Sequence, residues 1–107
     1  MQRFGQIIGL KENDIAAYEE LHANVWPDVL AIIAACHVHN YSIYRWNTTL
    51  FAYFEYSGND YAADMARMAA DPVTRDWWAL CMPLQQPLPG HGPDEWWTTM
   101  LEVFHTN

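Results

Sequence analysis

Positive charge is scarce in this chain. Its 107 residues carry five Lys and Arg against thirteen Asp and Glu, a formal charge of −8. No basic stripe offsets that balance, which excludes a polyanion such as DNA or RNA as a partner. Long hydrophobic runs are also lacking, and each apolar run falls short of the roughly 20 residues that span a bilayer. The stretch "MQRFGQIIGLKEND" reads straight into a strand, without the apolar run of a signal peptide. Cysteine is limited to Cys36 and Cys81, so neither a disulfide framework nor a CxxC motif is expected. A glycine-rich phosphate loop, a G-x-S-x-G elbow and a dinucleotide fingerprint are all missing. These absences lead to a soluble, cytoplasmic protein that binds neither nucleic acid nor membrane.

What is abundant is aromatic: six Trp, six Tyr and four Phe. One small domain, residues 1–107, has room for a single core, and this is more ring surface than that core needs. Rings with a polar tip are favoured where a pocket or a subunit interface forms.

Residues 3–10, "RFGQIIGL", have the composition of a strand. Residues 11–36 carry helical periodicity, with Asn13 or Asp14 as the cap. Pro27 interrupts that pattern. It lacks an N–H and clashes with the carbonyl of Ala23, so the helix should kink or restart near Trp26. Pro27 then suits the first position of a new segment, with Asp28 at its positive end. Residues 38–46 and 50–58 read as two strands joined by a turn at "NTT". Residues 60–71 form a strong helix and Pro72 starts another. A Pro-, Gly- and Gln-rich loop over 83–94 precedes a last strand at 99–105.

The order β-α-β-β-α-β is the ferredoxin-like pattern of an α+β protein: an antiparallel sheet with helices on one face. The other face would expose rings such as Tyr41 and Tyr53. Two such faces packed together give a homodimer, the dimeric α/β barrel arrangement.

Tyr18 and His22 are one helical turn apart and share a face. One reading has His22 satisfied by a neighbouring backbone carbonyl. The other has it exchanging protons near neutral pH, for which imidazole is the best suited side chain. Trp77 and Trp78 point about 100° apart on a helix, so one can anchor the core while the other faces a cleft. His37 and His39 form a His-x-His pair, which can ligate zinc when both share a strand face. No second ligand cluster has matching spacing, and no metal or other cofactor is expected.

Five segments, in this order and spacing, are similar to one family: "Y-x3-H-x3-WP" (Tyr18, His22, Trp26, Pro27), "NYSIY" (Asn40 to Tyr44), "LF" (Leu50, Phe51), "WW" (Trp77, Trp78) and "EVFH" (Glu102 to His105). The chain resembles the L-rhamnose mutarotase family nearly end to end. The resemblance implies a small dimeric enzyme that interconverts the α and β anomers of a 6-deoxy-L-sugar. It implies His22 as proton donor, with Tyr18, Tyr41, Trp77 and Trp78 binding the sugar. The second proton-transfer group stays open among Tyr18, His105 and a water. Residues 55–72 and 83–97 depart from the rhamnose branch and look more like relatives linked to L-fucose. The sugar is therefore L-fucose or L-rhamnose. Two other readings compete: a cofactor-free monooxygenase or haem-handling protein on the same dimeric architecture, and a non-catalytic sugar-binding or assembly module.

Overall fold

Strand β3 (Thr49–Tyr56) shows how the sheet is made. Leu50, Ala52, Phe54 and Tyr56 are buried, while Thr49, Phe51, Tyr53 and Glu55 point the other way. That period of two gives one face to the core and leaves the other free. The computed structural model describes all residues from Met1 to Asn107. On one side of β3 runs β1 (Gln2–Leu10), antiparallel, and on the other β2 (Val38–Trp46), also antiparallel. The β2–β3 turn is tight, with Asn47 at φ 53°, a left-handed conformation that Asn tolerates.

Four helices follow the strands as the sequence pattern requires. The first long pattern is two helices, α1 (Ile15–Ala23) and α2 (Pro27–Ala35). Trp26 is extended at φ −61°, ψ 135°, and Pro27 opens α2, where its missing N–H costs nothing. The second region is α3 (Tyr61–Ala70) and α4 (Pro72–Cys81). Asp60 accepts from the Ala63 N–H at 3.1 Å and Asp71 from the Thr74 N–H at 2.9 Å, so each helix start is capped. The expected side-chain cap at Asn13 or Asp14 does not form. A 3-10 turn over Glu12–Asp14 leads into α1, and Asp14 at its start makes no capping bond.

All four helices lie on one face of the sheet. Ile8, Leu10 and Leu50 meet Tyr18, Val29, Trp77 and Cys81 in the main core, while Val38, Phe54 and Tyr56 form a second cluster under Tyr61 and Met65. Each fully buried aliphatic side chain contributes roughly 1.5–3 kcal/mol.

The fourth strand position differs from expectation. Instead of one strand at 99–105, the outer edge of β1 carries two short pieces, β4 (Gln85–Gln86) and β5 (Thr98–Met100). Gln86 pairs with Gly9 and Thr98 with Ile7, so residues 87–97 loop out opposite Ile8 alone. The sheet order is β2-β3-β1-β4, with β5 also on β1. Residues 101–107 continue without strand pairing, and Leu101, Val103 and Phe104 are 87, 88 and 80 % exposed. A strand there would need a surface to bury these side chains, and one chain supplies none.

Tyr41 is also placed differently. It was expected with Tyr53 on the open face, but it packs against Phe54 on the helix side, ring centroids 5.4 Å apart. The register of β2 shifts between His39 and Ser42, and Asn40 is left-handed at φ 49°. This bulge adds one residue to β2, and a one-residue slip exchanges faces. Past the bulge Tyr41, Ile43 and Arg45 face the helices, and Ser42, Tyr44 and Trp46 face outward. His37 and His39 do not share a strand face either. His37 precedes β2 in a left-handed conformation at φ 66°, and His39 Nε2 lies 2.7 Å from Ser57 Oγ.

Candidate active site

The break between α1 and α2 aims His22 at a group of rings. His22 sits in the last turn of α1, half-buried, with its ring stacked on Tyr18 at 4.0 Å between centroids. Trp77 of α4 meets His22 edge-on at 5.3 Å and Trp26 at 5.2 Å. His22 and Trp26, on the two sides of the break, thus both meet the one Trp edge-on.

His22 Nδ1 lies 2.9 Å from the backbone carbonyl oxygen of Tyr18. A carbonyl only accepts, so this geometry places the proton of neutral His22 on Nδ1 and leaves the Nε2 lone pair free. Burial pulls the His22 pKa below its ordinary 6.5, against the opposite pull of that carbonyl bond. The ring is therefore neutral at pH 7. The backbone contact satisfies one nitrogen of His22, and the other makes no hydrogen bond within the chain.

Tyr18 is 3 % exposed, and burial raises its pKa, so it remains a phenol. Its oxygen accepts from Gln85 Nε2 at 3.3 Å. Tyr41 is 42 % exposed, and burial pushes its pKa up to about 12, with Tyr61 and Cys81 adding to the effect. Cys81 itself is buried and pushed up to about 11, which leaves no reactive thiolate at neutral pH.

A cleft of about 350 Å³ opens beside this group, between α1 and the β2–β3 hairpin, lined by Tyr18, His22, Ile43, Arg45 and Leu50 among others. Arg45 is paired with Glu19 at its rim. Tyr18, His22 and Trp77 are thus brought together. Tyr41 stands on the same side of the sheet. Trp78 lies outside the ring cluster and is 36 % exposed, while Trp77 is 5 % exposed. His105 is in the exposed terminal segment, 3.1 Å from Asn107 Oδ1. Sequence reasoning placed Trp26 at the break beside His22 but missed Gln85 as part of the site. Gln85 lies in a Pro- and Gln-rich stretch that looks like loop, and only its pairing to β1 buries it.

The sequence profile described as L-rhamnose mutarotase matches residues 3–106. The chain belongs to the L-rhamnose mutarotase family. Within and beside it, the chain is 34 % identical to the L-fucose mutarotase of Xanthomonas campestris pv. campestris, over 97 % of this chain and 87 % of that one. It is 33 % identical to the L-rhamnose mutarotase of Ligilactobacillus salivarius, over 96 % and 95 %. The crystal structure of L-rhamnose mutarotase FA22100 from Formosa agariphila superposes with a TM-score of 0.78 over the whole of both chains, at 25 % identity. In this mutarotase-family chain, the segment holding Tyr18, His22, Trp26 and Pro27 is the one that builds the break and the ring cluster. The "NYSIY" segment is the one that carries the bulge.

Proposed function

We propose that this chain is a sugar mutarotase that interconverts the α and β anomers of a 6-deoxy-L-hexose, L-fucose or L-rhamnose. One observation carries the reading within the family: His22 has Nδ1 tied to the Tyr18 carbonyl, Nε2 free of any hydrogen bond within the chain, and its ring stacked on that of Tyr18. Mutarotation needs one proton taken from the C1 hydroxyl and one delivered to the ring oxygen. Neutral His22 takes the first through Nε2. The Tyr18 phenol gives the second, so the C1–O bond breaks with its electron pair on the ring oxygen and the C1 oxygen becomes the aldehyde. After rotation about C1–C2, the ring oxygen adds to the other face of C1. His22 then returns its proton to the new C1 hydroxyl, and Tyr18 recovers its own. His22 is the proton donor in that closing step. The chemistry calls for no metal, nucleotide or other cofactor.

Tyr41 and Trp78 have exposed ring surface to offer the sugar, whose C–H faces stack well on aromatic rings. Trp77 has little, and its contribution is to brace His22. The protein works as a homodimer, because Tyr44, Trp46, Phe51 and Met100 leave an apolar sheet face uncovered in one chain. Its setting is the cytoplasm, where Cys36 and Cys81 stay reduced.

The test is saturation-transfer NMR of anomeric exchange on L-fucose, L-rhamnose and a 6-hydroxylated control. Wild-type protein should speed exchange of at least one 6-deoxy sugar. His22→Ala should lose about 10²–10⁴-fold while keeping its fold. Exchange at the buffer rate for both 6-deoxy sugars with folded wild-type protein sinks the reading.

A further inference from the structure

The looped-out segment 87–97 reaches back to the active site through one hydrogen-bonded chain. Trp96 Nε1 donates to Gln85 Oε1 at 2.7 Å, and Gln85 Nε2 donates to the Tyr18 hydroxyl oxygen at 3.3 Å. Gln85 is 6 % exposed, one of two polar residues buried in the core. A buried amide is costly unless both its ends are satisfied, and here both are.

The direction of this chain follows from its first member. An indole N–H can only donate, so the atom of Gln85 facing Trp96 must be the oxygen. The amide nitrogen is then turned to Tyr18, where it too can only donate. The Tyr18 oxygen is thereby an acceptor on that side, and its own proton must point elsewhere. We infer that Trp96 and Gln85 are positioning residues for the reaction: they orient the Tyr18 hydroxyl as a donor to the sugar and stabilise the negative charge it takes on when it gives up its proton. This inference rests on the mutarotase reading.

Three further features support it. The Gln85 bond works against burial in setting the acidity of Tyr18, so it favours the charged form needed in the transition state. Such a bond strengthens as charge develops, which makes it a catalytic interaction more than a binding one. The loop itself is held: Glu95 accepts from the Gly92 and Thr99 N–H groups at 3.1 and 3.2 Å, and Trp97 packs on the core. Trp96 is therefore presented by a fixed segment. Residues 83–97 are also one of the two segments, with 55–72, whose sequence departs from the rhamnose-linked pattern.

The experiment is a double-mutant cycle by anomeric-exchange NMR. Gln85→Leu and Trp96→Phe are each made in wild type and in Tyr18→Phe, with thermal melts alongside. Gln85→Leu should lower kcat about tenfold with KM little changed, the rate equivalent of one hydrogen bond of ordinary net strength. Trp96→Phe should lower it by less, because the amide then turns between two orientations. In Tyr18→Phe neither change should reduce the rate further. Equal losses in both backgrounds would mean a merely structural role and overturn the inference, as would an unchanged kcat in wild type. If wild type leaves exchange at the buffer rate, the mutarotase reading fails separately. The ¹³Cζ resonance of Tyr18 then decides whether the positioning contact exists: it should move in Gln85→Leu at neutral pH, and an unmoved resonance overturns it.

Discussion

His22 is held twice by the same residue. Its ring stacks on the Tyr18 ring at 4.0 Å, and its Nδ1 reaches the Tyr18 backbone carbonyl at 2.9 Å. The two residues are one turn apart on α1, so this grip is local and survives any movement of the sheet beneath. It leaves Nε2 as the single titrating atom exposed to a substrate.

That grip sets the pH dependence. Burial lowers the His22 pKa below 6.5. The unfolded chain therefore binds the proton first as pH falls, and protonation favours unfolding. The contribution of His22 to stability is fully present above about 6.5, the unfolded value, and is lost as pH falls through the lower, folded value. Activity should be level near pH 7 and drop only below the folded pKa, where Nε2 is blocked. An NMR titration of the His22 ring, set beside the pH–rate profile, checks both. A midpoint above 6.5 would contradict this account.

The edge of β1 gives a second prediction. A Cβ on Gly9 would lie 2.6 Å from the backbone carbonyl oxygen of Gln86, closer than atoms approach. Gly9→Ala must push β4 off β1, and Gln85 moves with it. Stability should fall by about 1–3 kcal/mol, as for other overpacked sites. Exchange activity should fall in wild type and not in Tyr18→Phe. A variant that melts like wild type with full activity would show that β4 is not held at this register.

The open sheet face gives a third. Tyr44 and Phe51 are cross-strand partners on it, and Tyr44 is 67 % exposed in the single chain. In the proposed homodimer this face meets a second copy of itself, and Phe51→Glu places a charge on that self-complementary surface. Sedimentation should show wild type as a dimer and Phe51→Glu shifted toward monomer, with secondary structure retained by circular dichroism. Wild type sedimenting as a monomer at micromolar concentration would contradict the dimer.

Much of this was legible residue by residue. Alternation in "LFAYFEY" marks β3 and its buried face. Pro27 marks the α1–α2 break, because a missing N–H and a fixed φ act within one turn. Pro72 marks the start of α4 in the same way. The pairing of Tyr18 with His22 followed from a spacing of four. Motif order brought the family and the ring cluster around His22 into view.

The placement of Tyr41 was not legible. Its face depends on whether Asn40 is paired or bulged, and "VHNYSIY" alternates acceptably either way. The bulge is favoured by contacts made elsewhere: Asn40 Nδ2 donates to Glu55 Oε1 at 2.6 Å across the strands. The split of the last strand was hidden for the same reason, since "QQ" has no strand signal until Leu10 and Gly9 pair with it.

Sequence alone determined the four helices and the first three strands, where α1 stops and α2 starts, and which residues share a helical face. Each of these is governed by forces acting within about four residues along the chain. Tertiary structure decided that Tyr41 faces the helices, that residues 87–97 leave the sheet edge as a loop, and that Gln85 meets a tyrosine 67 positions away. Those outcomes depend on register between strands and on hydrogen bonds across the fold. Such choices carry no periodicity for a single segment to display, because their energy exists only once distant partners meet.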